Sequence, residues 1–171
     1  MGKITNKKLN SILIFYLLIA ASMTVFFLVP VKSSADDGIS MVGDGSEDNP
    51  YVIEDVHDLQ DMSKNLSAHY VLGNDIDAGV TSTWNLTEGV YKGFKPIGTF
   101  TERFKGSFDG QGFEIKDLYI YRNLSVRVGL FGYVDEENVV KNVKMTNVDI
   151  TGNNYVGGLV AYNYRAHVIN C

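Results

Sequence analysis

The chain has 171 residues, 45% hydrophobic and 20% charged, with 15 Lys+Arg against 20 Asp+Glu for a formal charge of -5. Its apolar content excludes a disordered or collagen-like chain, and its acidity excludes a strongly basic nucleic-acid binder, so no nucleic-acid partner is expected. The single cysteine, Cys171, has no partner in the chain, which excludes a disulfide-stapled fold.

The average joins two unlike segments. Residues 1–35 hold Lys3, Lys7, Lys8 and Lys32 and no acid, and residues 12–29 are apolar except for Ser22 and Thr24. Pro30 and Ser33-Ser34-Ala35 follow, so 1–35 reads as a secretory signal peptide cut after Ala35, or as a retained signal anchor crossing a membrane through 12–29. Either reading places the remainder outside the cytoplasm, extracellular or at the cell surface. With four of the fifteen bases and none of the twenty acids in the leader, the part of the chain after Ala35 carries a charge of −9.

Residues 36–49 are rich in Asp, Gly and Ser and read as a linker. Tyr51-Val52-Ile53 reads as a strand. Residues 55–66 read as the one helix, with Asp55 as N-cap and Leu59, Met62 and Leu66 on one face. Tyr70-Val71-Leu72 is a second strand reaching Ile76, and 78–94 is a long loop around Trp84. Beyond it the pattern predicts only short strands and turns: 104–108, a tight turn at 109–112, 113–115, 118–120, 128–134, 139–145, 148–151 and 155–162.

Repetition decides the architecture. Val128-Gly129-Leu130-Phe131-Gly132-Tyr133 recurs as Val156-Gly157-Gly158-Leu159-Val160-Ala161-Tyr162, with one inserted residue. Val140-Lys141-Asn142-Val143 recurs at a similar spacing as Val168-Ile169-Asn170-Cys171, and Ile115-Lys116-Asp117-Leu118 reads as a fainter earlier copy. Periods of this length mean stacked supersecondary units, here coils of short strands with alternate apolar residues inward. Asn142 and Asn170 would stack as an Asn ladder at a turn, and the helix would cap the first coil. The chain stops inside a repeat at Cys171, which predicts truncation of a longer protein or end-to-end self-association.

These repeats resemble the GLUG motif of secreted and surface proteins. Gly129-Leu130-Phe131-Gly132 is followed by the Val-x-Asn-apolar step at Asn142 and by Asn147-Val148-Asp149-Ile150-Thr151-Gly152. Gly106–Ile115 and Gly43–Ile53 look like the lead-in and first coil of such proteins. The second copy, Gly157-Gly158-Leu159-Val160-Ala161, departs from the motif, with Ala161 where its last glycine belongs. The resemblance covers residues 43–171. It implies an all-β, right-handed parallel β-helix of pectin-lyase-like type over 50–171. Such modules stand upstream of immunoglobulin A peptidase-type proteases and in adhesin-like proteins. No catalytic residue is carried over.

The histidines, His57, His69 and His167, form no His-Glu-x-x-His, and neither a Gly-x-Ser-x-Gly nor a phosphate loop is present. Asp44 and Asp48, spaced as in a calcium loop but with Asn49 where it needs Gly and Pro50 following, and Asp75 with Asp77, pointing to one side of a strand, are the candidate Ca²⁺ ligands; no other cofactor is expected. Trp84, Tyr91 and Phe94, with Phe100 nearby, are the candidate carbohydrate-stacking rings. A lyase would need a base near the acids, and Arg103, Arg122 and Arg127 show no spacing that pairs them with Asp75. Residues 65–67, 85–87 and 123–125 are glycosylation sequons. The expected function is therefore a non-catalytic surface module serving adhesion or as a stalk, with a host, cell-wall or glycan ligand. The alternatives are a polysaccharide-lyase-like enzyme and the N-terminal module of a larger secreted protease.

Overall fold

The structure is a computed structural model that describes residues 38–171; the leader, 1–35, lies outside the described residues. These residues are mostly β, with parallel sheets and one short helix. None of their helices is long and apolar enough to cross a membrane.

The first strand, β1 (Tyr51–Ile53), buries Tyr51 and Ile53 and leaves Val52 half-buried, as alternation requires. The helix α1 (Val56–Asp61) starts where Asp55 caps it, accepting from the backbone N–H groups of His57 at 2.7 Å and Asp58 at 2.9 Å. Asp58 in turn accepts from the Glu54 N–H at 3.0 Å, which makes the cap reciprocal, in the manner of a capping box. α1 is shorter than the predicted 55–66 because its last turn tightens into a 3-10 turn over Met62–Lys64. Val56, Leu59 and Met62 are buried and Leu66 packs against the core, so the predicted face holds.

After β2 (His69–Leu72) and β3 (Ile76–Asp77), the 78–94 segment contains a 3-10 turn at Gly79–Thr83 and an antiparallel hairpin of β4 (Leu86–Thr87) and β5 (Val90–Tyr91). Then come β6 (Ser107–Asp109), β7 (Glu114–Lys116), β8 (Tyr119–Val128), β9 (Val139–Lys141), β10 (Lys144–Thr146), β11 (Asp149–Val156) and β12 (His167–Ile169). One sheet runs β1-β2-β6-β9-β12, a second β10-β7-β3 and a third β11-β8, all parallel. From β6 onward the chain visits the three sheets in the same order twice and then returns to the first.

The registers explain the repeats. Val139–Lys141 pairs with His167–Ile169, so Val140 and Val168, equivalent in the two copies, are direct partners. Phe131 bridges Val160 and Val134 bridges Asn163, which places the inserted residue of the second copy between Val156 and Val160. The predicted strands at 128–134 and 155–162 are mostly bends held by such single bridges, and 139–145 is divided in two by Asn142, whose φ of 55° turns the chain. The fainter copy is out of register: Ile115 and Lys116 pair with Met145 and Thr146, so 115–118 stacks on 145–148 and not on 140–143. The segment beside Val140–Lys141 is Phe108–Asp109.

Apolar residues form continuous columns. Tyr51, Tyr70, Phe108 and Val140 are buried at successive register positions of the first sheet, which the exposed Val168 continues, and Ile76, Ile115 and Met145 occupy those of the second. Tyr70, Phe104, Phe108 and Phe131 are fully buried, and the Phe104 and Phe131 ring centres lie 4.9 Å apart. Each such buried side chain contributes about 1.5–3 kcal/mol of burial free energy. Ile39 and Met41 join the same core, so part of the expected linker is packed, while Asp44 and residues 46–49 stay exposed.

Polar columns fix two corners. The Asn170 amide donates to Asn142 Oδ1 at 3.2 Å, and the Asn142 amide donates to Asp109 Oδ1 at 3.0 Å, extending the expected ladder by one carboxylate. Asn147 likewise donates to Asp117 at the other corner. Asn142, Asn170, Asp117 and Asn147 all have φ between 50° and 60°, a region that Asn and Asp enter at lower cost than other side chains.

This packing distinguishes two glycines. A Cβ on Gly106 would overlap the Ala68 carbonyl oxygen, whereas one on Gly158 meets nothing within 4 Å. Gly106→Ala should therefore lower the thermal midpoint by several degrees, and Gly158→Ala should leave stability within about 0.5 kcal/mol of the parent. Burial alone would raise the Asp109 pKa, but the Gln111 N–H, the Asn142 amide and Lys141 together hold it below its ordinary value. Its ionised form thus stabilises the fold fully above about pH 4, and that contribution disappears as pH falls through the lowered folded value. In urea titrations across this range, Asp109→Asn should flatten the acid limb of stability.

Candidate functional site

The structure separates the aromatic residues expected to stack a sugar. Phe94 is fully buried and presents no face to a ligand. Trp84 packs partly buried against the core, its ring centre 5.0 Å from that of His57. Tyr91 is exposed on the β4-β5 hairpin. Among the sequons, Asn85 donates its amide to the Gly93 carbonyl at 2.7 Å, while Asn123 stands exposed in the stretch of β8 where its pairing with β11 shifts register.

Three of the four candidate Ca²⁺ carboxylates, Asp44, Asp75 and Asp77, are engaged in local structure. Asp44 accepts from the Ser46 N–H at 2.9 Å, and hydrogen bonds from Ser46, side chain first, hold its pKa low. Asp75 accepts from the Glu114 N–H at 2.8 Å, tying β7 to the turn before β3. Asp77 accepts from the Gly79 N–H at 3.1 Å and pairs with Lys116 at 3.2 Å, and these two partners, the Gly79 N–H foremost, lower its pKa. Asp48 is exposed in the turn with Asp44. Among the described residues no group of three or more His, Cys, Asp or Glu side chains converges as a metal site would require.

The repeat positions behave as packing elements. Leu130 and Phe131 are buried, and Leu159 packs partly buried against the core. Leu130 donates its N–H to the Gly158 carbonyl at 3.0 Å and Phe131 to that of Leu159 at 2.8 Å. Gly129 and Gly132 lie against backbone: a Cβ would come within 2.6 Å of the Gly157 oxygen and 2.5 Å of the Gly98 oxygen. A Cβ on Gly157 would overlap the Val160 oxygen.

The most concentrated chemistry is an arginine–aromatic cluster. Tyr133 and Tyr162 precede the bridged pair Val134–Asn163, so their rings stack with centres 4.8 Å apart, the spacing of neighbouring strands. Tyr155 meets Tyr162 edge-on at 5.4 Å, and Tyr164 lies 6.4 Å from Tyr133. Arg103 lies over the Tyr133 ring at 4.8 Å and pairs with Asp135 at 3.1 Å. That hydrogen bond, ahead of all else, raises the Arg103 pKa. Burial pushes the Tyr133 hydroxyl up.

Arg127 lies over the rings of Tyr162 at 5.0 Å, Phe100 at 5.2 Å and Tyr155 at 5.5 Å. Arg127 and Tyr155 both sit in the left-handed region, with φ of 62° and 54°. For residues of this size the conformation costs of order 1–3 kcal/mol each and persists where surrounding packing enforces it. The face so formed offers cations and ring edges together, a combination suited to binding a polar, planar or anionic ligand. Sequence reading identified Phe100 and the arginines singly and missed the tyrosines; their signal was the aromatic residue closing each copy of the Val-Gly repeat.

No family model matches the chain, and no solved structure matches it. The chain is 38% identical over 155 residues to a protein named Halomucin from Haloquadratum walsbyi, a match covering 80% of this chain and 2% of that protein. It is 30% identical over 163 residues to a protein of Evansella cellulosilytica named as a Gly-rich membrane protein, covering 92% of this chain and 18% of the relative. The chain is thus homologous to segments of two much longer proteins.

Removing Arg103 takes away both its ring contacts and its Asp135 pair. Arg103→Ala should destabilise the protein by about 1–2 kcal/mol in chemical denaturation, and Arg103→Lys should recover only part of it, because an ammonium cannot match the planar fork.

Proposed function

We propose that the chain is a secreted or surface-displayed, non-catalytic module whose parallel sheets wind as a right-handed, pectin-lyase-like β-helix with GLUG-type repeats, serving as an adhesive stalk. The observation that carries this reading is the parallel registration of equivalent repeat positions, with each sheet revisited in the same order. Such a geometry extends by repetition and presents a long lateral surface. The homologous segments of far longer proteins, one of them named as a membrane protein, agree with a unit of a larger surface assembly. The basic, apolar leader supplies export. The arginine–aromatic cluster supplies an adhesive face.

Two measurements test it. Duplicating residues 139–166 in phase should lengthen the particle in small-angle X-ray scattering by about 4.8 Å, one strand spacing, and raise the melting temperature. Widening without lengthening would contradict the coil geometry. Incubation with acidic polysaccharides and Ca²⁺ should leave polymer length unchanged; release of unsaturated sugars would replace the adhesive reading with a lyase.

A further inference from the structure

Lys95, Arg122 and Arg127 line one cavity of about 280 Å³, together with Phe100 and Ser125. No Asp or Glu lines it. Among the described residues, none of these three cations makes an ion pair, whereas Lys64, Arg103, Lys116, Lys141, Lys144 and Arg165 all do. In a segment of charge −9 outside the leader, three unpaired cations around one space run against the composition.

Each arginine there is held by something other than a carboxylate. Arg122 is half-buried, donates Nε to the Phe94 carbonyl at 3.3 Å, and has its pKa lowered by burial. Arg127 is held by ring contacts, and its Nε is buried with no hydrogen-bond partner among the described residues. Ring contacts engage the face of a guanidinium and leave the donors in its plane available. Buried donors and desolvated cations of this kind favour an anion that satisfies both.

We propose that this cavity binds a carboxylate- or sulfate-bearing sugar unit of an acidic polysaccharide. The two guanidinium forks and the exposed Lys95 ammonium take the anionic group. The ring of Phe100, 58% exposed, offers its face to the apolar side of the sugar, and Ser125 adds a hydroxyl at the rim. The volume lies near the lower end of the roughly 300–1,000 Å³ typical of small-ligand sites, which suits one ring of a chain that continues into solvent. The net negative charge of the protein repels polyanions at long range, so binding must come from this local cluster. The inference rests on the adhesive reading and specifies its ligand.

The test is calorimetric titration of the full chain at low salt with polygalacturonate, dextran sulfate, unmodified dextran and a single-stranded oligonucleotide. Binding is expected to one or both acidic polysaccharides and not to dextran, and the two acidic arms identify the anionic group. Lys95→Gln and Arg127→Gln should each weaken binding about tenfold or more. Lys144→Gln removes the same charge from an exposed pair with Glu114 on another sheet and should change affinity by less than about twofold. Lys95 is exposed, so its variant remains decisive should Arg127→Gln unfold. Absence of binding, equal binding of dextran, tighter binding of the oligonucleotide, or equal loss in Lys144→Gln would each overturn the proposal. Polymer that stays intact and unbound overturns this site alone; polymer that is shortened overturns the non-catalytic reading.

Discussion

The structure depends on parallel strand pairing in a fixed register. In a parallel ladder each residue sits beside its equivalent in the next strand, so identical choices at equivalent positions become columns. Here the column through Tyr51, Tyr70, Phe108 and Val140 is apolar and buried, and Val168 continues it at the exposed last strand. A slip of one residue would turn that column outward and bring His69, Ser107 and Lys141 into the core, which is why the register is so strongly specified. The Asp109–Asn142–Asn170 ladder adds a second constraint at the corner, because its side chains meet only when the strands are in phase.

The same constraint builds the arginine–aromatic face. Tyr133 and Tyr162 belong to different copies of the repeat, yet they stack because the bridge beside them places them one strand spacing apart. Arg127 and Tyr155 lie between the paired positions Val126–Asn154 and Val128–Val156, which brings a cation and a ring together from strands far apart in sequence. A chain of marked acidity thus brings three unpaired cations, Lys95, Arg122 and Arg127, around one cavity, where the folded register and not the composition decides the local field.

Much of the architecture was legible in the sequence, and the reasons are local. The Asp55 cap, the alternation of Tyr51-Val52-Ile53 and the echo of Val140 at Val168 all follow from rules with short reach. The pairing of β7 with β10 was less legible, because the offset between paired positions is not constant: it is 32 at Phe108–Val140, 30 at Ile115–Met145 and 28 at Val128–Val156, so 115–118 resembles 140–143 while stacking on 145–148. The burial of Phe94 and the arginine–aromatic cluster were hidden for a related reason: which face of a bend points outward depends on contacts with segments distant in sequence. Ile39 and Met41 show the same limit, two apolar residues in a polar stretch that long-range packing recruits into the core.

Register is therefore the claim on which both fold and site stand, and a cross-link measures it directly. In a Cys171→Ser background, His69→Cys combined with Ser107→Cys places thiols on residues paired across β2 and β6. Neighbouring strands bring such Cα atoms into the roughly 4.4–6.8 Å range a disulfide spans, whereas His69→Cys with Asp109→Cys is offset by two residues along the strand. Under mild oxidation the in-register pair should form a disulfide in nearly all molecules and the offset pair should remain reduced; preferential closure of the offset pair would contradict the parallel registration.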